Sequence, residues 1–224
     1  MSRQLRLDLN RPASHARQDF VVGPSNAQAV AALDAWPAWH GGCLALVGPK
    51  GCGKSHLAQD WAASANAILL HAQAPELGQA HGRPVLVEDV DQGFDDEALF
   101  HLINMAGREG GGLLVTAQTP PAAWTARLPD LRSRLNALPV ALIEAPDDEV
   151  LEGVLRKFFR ERNIRPPNEV LPYLLRRMER SMPAARDLVE KLDEAADAEQ
   201  RPISRALARR FFDDDTENLD LFDD

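Results

Sequence analysis

The residues best suited to chemistry stand in one run of eight, Gly48-Pro49-Lys50-Gly51-Cys52-Gly53-Lys54-Ser55, which fits G-x-x-x-x-G-K-[ST] at every fixed position. Glycines at these places let backbone N–H groups close around an anion, and a helix starting at the end of the run adds the positive end of its dipole. Lys54 is placed to reach the β- and γ-phosphates of a nucleotide, and the Ser55 hydroxyl to bind Mg²⁺. Gly48, Pro49, Lys50, Gly51, Cys52, Gly53, Lys54, Ser55 and the following His56 are the expected phosphate-binding set, for ADP or ATP. A second constellation is Pro84-Val85-Leu86-Val87-Glu88-Asp89, an apolar strand ending in two acids. In that form one carboxylate holds Mg²⁺ and the next orients an attacking water. Ser55 and Glu88 are the expected metal ligands, and Asp89 the candidate catalytic carboxylate.

These residues need a particular frame. Leu44-Ala45-Leu46-Val47 predicts a buried strand before the loop, and residues 56–63 predict a helix after it. Strand, glycine loop and helix in this order are the context that makes the pattern a phosphate site. Ser25 or Asn26 is a suitable N-cap for a helix over 27–36. Further apolar runs predict strands at 67–71, 84–87, 113–117 and 138–143, with a helix from Asp95 to about Arg108 stopped by Gly110-Gly111-Gly112. Near-continuous apolar strands alternating with helices imply a parallel sheet covered on both faces. From Pro146 onward no strand pattern remains, and four helices are expected over 147–162, 168–180, 184–199 and 203–212. Asp147 or Asp148 would cap the first, while Pro166-Pro167 and Pro183 mark the starts of the next two. The expected fold class is α/β, a P-loop module followed by a small all-helical domain. The expected division is a flexible peptide over 1–11, a nucleotide-binding domain over 12–145, a helical domain over 146–212 and a disordered acidic tail over 213–224.

Composition narrows the function classes. With 224 residues, 45% hydrophobic and 26% charged, the chain reads as an ordinary globular protein. It has no run of 18 apolar residues and no apolar stretch at its start resembling a signal peptide, so no membrane role is expected. Its two cysteines, Cys43 and Cys52, suit a reducing cytoplasm, Cys52 lying inside the phosphate loop where a disulfide would hamper function. The six histidines and two cysteines show no metal-ligand spacing, so Mg²⁺ is the one metal expected. The net charge of -9 is uneven: residues 213–224 contribute -7, residues 150–212 contribute +4 and residues 1–149 contribute -6. No segment carries the dense basic stripe of a protein that grips nucleic acid, so specific DNA binding is not expected.

Near the start, Leu5, Leu7 and Leu9 alternate with polar residues. Alternation suits a short edge strand with one buried face. It equally suits a peptide that docks its leucines into another protein, and the pattern alone leaves both open.

The two acidic and glycine motifs, a polar strand tip and an all-helical C-terminal part together resemble an AAA+ nucleotide-binding module. Within that group, Phe20-Val21-Val22-Gly23-Pro24-Ser25-Asn26 is similar to the first motif of the bacterial replication initiator DnaA. Leu113-Leu114-Val115-Thr116-Ala117-Gln118-Thr119-Pro120-Pro121 resembles its sensor 1 strand, Leu131-Arg132-Ser133-Arg134-Leu135 its arginine-finger segment, and Ala185-Arg186-Asp187-Leu188 its sensor 2. The resemblance spans about residues 19–210. No counterpart of DnaA's DNA-binding domain or long N-terminal interaction domain is expected, and Gln4-Leu5-Arg6-Leu7-Asp8-Leu9 is similar to the Q-L-x-L-x-L peptide that binds the DNA polymerase sliding clamp. That layout resembles the Hda-type regulatory inactivators of DnaA.

The resemblance carries several implications. Val22 and Gly23 would lie against the adenine, and Arg186 would reach the phosphates from the helical domain, here the lid. Arg134 would act in trans as an arginine finger on DnaA-bound ATP, with Arg132 as runner-up. Gln4, Leu5, Leu7 and Leu9 would bind the clamp. Hydrolysis of DnaA-bound ATP would then block re-initiation of replication. Asn218-Leu219-Asp220-Leu221-Phe222 resembles a degenerate second clamp peptide, although a solvated tail is the simpler reading. Self-association into a homodimer is left open.

Two departures bear on catalysis. The family's usual acidic pair is two aspartates, but here it is Glu88-Asp89, and a usual aspartate at sensor 1 is replaced by Gln118. Both changes fall on hydrolysis machinery and neither on phosphate binding. The expectation is a weak or absent ATPase of its own. The competing functions are an autonomous AAA+ ATPase of clamp-loader or helicase-loader type, and a DnaA-paralogue initiation factor.

Overall fold

The computed structural model describes residues 17–108 and 111–217. The candidate clamp residues Gln4, Leu5, Leu7 and Leu9, and the segment 218–222, lie outside the described residues.

Five strands, β1 (Cys43–Val47), β2 (Ile68–Leu70), β3 (Pro84–Val87), β4 (Gly112–Ala117) and β5 (Val140–Leu142), form one sheet in the order β2-β3-β4-β1-β5. Every pairing is parallel. Strands β1 and β4 are buried along their whole length, which is why their sequences are continuous apolar runs. On one face α3 (Asp96–Ala106) and α4 (Pro129–Ala137) pack on Cys43, Ala45, Val47 and Val115. On the other, α1 (Ala27–Asp34) and α2 (Lys54–Ser64) pack on Leu44, Leu46, Leu86 and Leu114. Trp36, Trp39 and Trp61 meet on this second face with ring centroids 4.8 to 5.4 Å apart.

The C-terminal part has its own core. Helices α5 (Asp148–Glu161), α6 (Val170–Leu175), α7 (Met182–Ala198) and α8 (Arg205–Glu217) enclose Leu151, Leu155, Phe159, Leu174 and Leu192. Side-chain caps fix several helix starts. Asp95 accepts from the Ala98 N–H at 2.8 Å, Asp147 from Val150 at 2.9 Å and Ser181 from Ala184 at 3.2 Å. Among the described residues no helix is long and apolar enough to cross a membrane.

Several expectations shift in detail. Helix α2 starts at Lys54, two residues early, because Gly53 adopts φ 105° and lets the helix begin at once. Helix α6 covers Val170–Leu175 where 168–180 was expected. Helix α8 continues to Glu217, five residues into the acidic stretch expected to lack structure. Asn26 sits at the N-cap position of α1 but does not cap it; its side chain is engaged elsewhere.

Candidate phosphate site and its lid

The loop 48–53 joins the end of β1 to the start of α2, at the carboxyl edge of the sheet. The Gly48 N–H donates to the Ala117 carbonyl at 3.2 Å, tying the loop to the tip of β4. Lys54 is 7% exposed, and its Nζ donates to the carbonyls of Gly48 at 2.8 Å and Pro49 at 2.9 Å. An ammonium has three donors, so one N–H stays available at the mouth of the loop. Ser55 is exposed on the first turn of α2, and His56 beside it is half-buried. Phe20 lies edge-on to His56, centroids 5.3 Å apart, and against the backbone of Gly53.

Glu88 follows β3 and faces α2. Its Oε2 accepts from Gln59 Nε2 at 3.4 Å, while its Oε1 is buried with no hydrogen-bond partner. A hydroxyl from Ser55 and this orphaned carboxylate oxygen are hard donors of the kind Mg²⁺ uses, the remainder coming from phosphate and water. The residues present fit that ion. Among the described residues no group of three acids, histidines or cysteines could hold a metal by itself. Asp89 is exposed and left-handed, φ 52°, ψ 43°. Its N–H donates to Thr116 Oγ1 at 3.0 Å, and Thr116 is fully buried. Thr116 carried a signal in the sequence, being a lone hydroxyl in an apolar strand, yet sequence reasoning gave it no role. Asp91 was missed as well. Its Oδ2 accepts from the N–H groups of Gln118 at 2.8 Å and Thr119 at 2.9 Å, so it fixes the strand tip where Gln118 stands.

The segment 19–26 is a strap that touches both domains. Asn26, 2% exposed, accepts from the Gly23 N–H at 3.0 Å and donates to the Val21 carbonyl at 3.0 Å, holding the Val21–Val22–Gly23 turn. Val22 is 48% exposed and Gly23 is buried, while Val21 packs on the lid core. The Ser25 N–H donates to Asp147 Oδ2 at 2.9 Å, and Lys157 Nζ of α5 donates to the Asp19 carbonyl at 2.8 Å. Burial pushes the Asp147 carboxyl upward, but N–H donors from Val150, Ser25 and Glu149 and the Ser25 hydroxyl outweigh it and hold the group below its ordinary value.

The lid meets the phosphate loop directly. The Met182 N–H donates to the Gly51 carbonyl at 3.0 Å. Gly51 has φ 76°, and a Cβ there would lie 2.9 Å from Pro183 Cδ and 3.0 Å from Ser181 Cβ. Only glycine permits this approach. Arg186, one turn further along α7, has its guanidinium over the Phe158 ring at 4.4 Å. The guanidinium rests on that ring through a cation–π contact.

Arg132 and Arg134 lie on α4 and are exposed. Arg132 Nη2 donates to the Ala126 carbonyl at 3.0 Å, whereas Arg134 has no hydrogen-bond or ion-pair partner among the described residues. Burial pushes the Cys43 thiol up to about 12, and the Arg134 charge acts against that rise. Cys52 is likewise raised by burial, opposed by Lys54 and by loop N–H groups.

Residues 147–211 match the family model described as the Hda lid domain. The fold is similar to that of several solved structures. Domain III of the Thermotoga maritima replication initiation protein DnaA superposes with a TM-score of 0.73 at 21% identity, covering 89% of this chain and 96% of that one. AMPPCP-bound DnaA from Aquifex aeolicus gives 0.66 at 18%, covering 80% and 65%. The Thermotoga maritima RuvB Holliday junction branch migration motor gives 0.59 at 15%, covering 75% and 60%.

Proposed function

We propose that this chain, a DnaA-like AAA+ fold with an Hda-type lid, is a DnaA-related regulator of replication initiation that promotes hydrolysis of DnaA-bound ATP. The observation that carries this reading is the Hda lid match over 147–211 on a module whose Arg134 is exposed and, among the described residues, without an ion-pair partner. A guanidinium offered in trans stabilises charge on a transferring γ-phosphate, with effects of roughly 10³–10⁵ in rate in comparable systems.

In this reading ADP or ATP sits on residues 48–55, with Lys54 turning its remaining N–H toward the phosphates and the backbone N–H groups of the loop completing the cradle. Ser55 and Glu88 would hold Mg²⁺, which neutralises phosphate charge. Val22 and Gly23 would face the base, consistent with the exposed Val22 side chain and the Asn26 hold on that turn. Arg186 would exchange the Phe158 ring for phosphate, so the lid would report nucleotide state. AMPPCP-bound DnaA among the solved relatives supports a nucleotide in this fold. Gln4, Leu5, Leu7 and Leu9 would tether the protein to the sliding clamp. Asp89 would be the water-orienting carboxylate of any intrinsic hydrolysis.

The test measures hydrolysis of DnaA-bound ATP with purified chain, with and without clamp. Arg134→Ala should lose the stimulation, and Lys54→Ala should lose nucleotide binding and stimulation together. Clamp-independent stimulation by a Gln4→Ala/Leu5→Ala protein equal to that of the native chain with clamp would remove the tether from this reading. Turnover by the chain alone that Asp89→Ala abolishes would favour the autonomous ATPase.

A further inference from the structure

Strand β5 is an edge of the sheet and pairs with β1 alone. The Ala45 N–H donates to the Pro139 carbonyl at 2.8 Å, and the Ile143 N–H to the Val47 carbonyl at 2.7 Å. Backbone groups alternate sides along a strand, so Pro139, Ala141 and Ile143 turn theirs toward β1. Val140 and Leu142 therefore turn their N–H and carbonyl groups outward, where no partner stands among the described residues. Their side chains are 48% and 55% exposed, although the paired Ala45 and Val47 are 0% and 2% exposed in the α3–α4 core. Helical cover ends between the two strands. The outer edge of β5 is thus an aliphatic ladder with open backbone groups, the form that accepts an added strand.

The start of the described chain lies beside that edge. The Glu144 N–H, just past β5, donates to the Ser25 carbonyl at 2.9 Å. Arg17 Nη2 donates to Asp34 Oδ2 of α1 at 2.6 Å, and α1 shares a core with Ala141 and Ile143. Leu9 stands eight positions before Arg17, a stretch that spans up to about 26–29 Å when extended. Leu5, Leu7 and Leu9 recur at every second position, the period of Val140 and Leu142. The opposite edge, β2, offers no such match: Leu69 is 59% exposed, but the residues two positions away are Ala67 and His71.

We propose that residues 4–9 of this chain add to the outer edge of β5, setting their leucines against Val140 and Leu142. The occupant follows from reach and period together, and from the strap that already ties Ser25 to the end of β5. Being intramolecular, the contact needs little affinity, because the linker keeps the effective concentration high. Val140 and Leu142 offer only two N–H groups and two carbonyls, so the docked state is easy to leave. One segment cannot fill two places. On the clamp reading given above, clamp binding would lift the leucines from β5 and uncover this edge. The docking itself does not rest on that reading.

The experiment follows amide hydrogen exchange at Val140 and Leu142 in the full chain by NMR. In Leu5→Ser/Leu7→Ser/Leu9→Ser protein these two amides should exchange roughly tenfold faster than in the native chain. Ala141, turned toward β1, should keep its native rate in the same sample. Equal exchange of Val140 and Leu142 in the two proteins overturns the docking. Protection that the serine variant keeps, and that grows with protein concentration, gives the edge to a second copy and overturns it too. Adding sliding clamp to the native chain should bring both amides to the rate of the serine variant. Clamp that co-sediments with the native chain yet leaves them protected also overturns the docking. If the clamp does not bind the native chain, the tether reading fails, and the native chain against the serine variant alone decides the docking.

Discussion

The Met182 N–H donates to the Gly51 carbonyl at 3.0 Å, joining the first turn of α7 to the phosphate loop through backbone alone. Side-chain substitution cannot remove this bond directly. The lid therefore rests on the loop in a way set by loop conformation, and loop conformation rests on Gly51 staying at φ 76°.

Gly51→Ala is the sharpest probe of that contact. A methyl group there strains a left-handed backbone and meets Pro183 and Ser181 at 2.9 and 3.0 Å. The expected cost is about 1–3 kcal/mol in stability, read by chemical unfolding, together with weaker ADP binding by calorimetry.

Asp147 joins three things: the α5 N-terminus, the Ser25 backbone and the Ser25 hydroxyl. Asp147→Ala should lose about 1–2 kcal/mol, the larger end of an N-cap effect. The folded carboxyl titrates below its ordinary 3.8, so its contribution is fully present above 3.8 and fades as pH falls through the lower folded value. Stability of the Asp147→Asn protein should accordingly depend less on pH below about 3.8 than that of the native chain.

Both thiols should be inert in the native chain. Cys43 and Cys52 are buried and raised, Cys43 to about 12, so little thiolate exists at pH 8. Native protein should take up no iodoacetamide over a time in which urea-unfolded protein is labelled at both positions. Rapid native labelling at Cys52 would contradict the packed loop.

Arg132 and Arg134 should separate cleanly. Arg132→Ala removes a bond to the Ala126 carbonyl and should lower stability by about 0.5–1.5 kcal/mol while leaving stimulation of DnaA largely intact. Arg134→Ala should leave stability unchanged and remove stimulation. A reversal of the two results would make Arg132 the finger.

The sheet was legible because parallel strands buried on both faces must be apolar throughout, and β1, β3 and β4 read that way. The phosphate loop was legible because its spacing is dictated by an anion's size. Long-range polar ties were not. Nothing local links Ser25 to Asp147, 122 positions away, or marks Asn26 as turned back on Val21 and Gly23 instead of capping α1. The start of α2 was misjudged where a left-handed glycine decided it. The contact of Arg186 with the Phe158 ring is likewise a rotamer choice that sequence spacing does not show.

The strap at 19–26 has a consequence for anyone recombining such modules. Phe20 lies on the phosphate loop, Val21 on the lid core, Lys157 on the Asp19 carbonyl and Ser25 on Asp147. A chimaera that transplants residues 147–211 alone would separate the helices from their seat. The transferable unit is discontinuous: it needs a short graft from near the start of the chain, more than a hundred positions before the helices it accompanies.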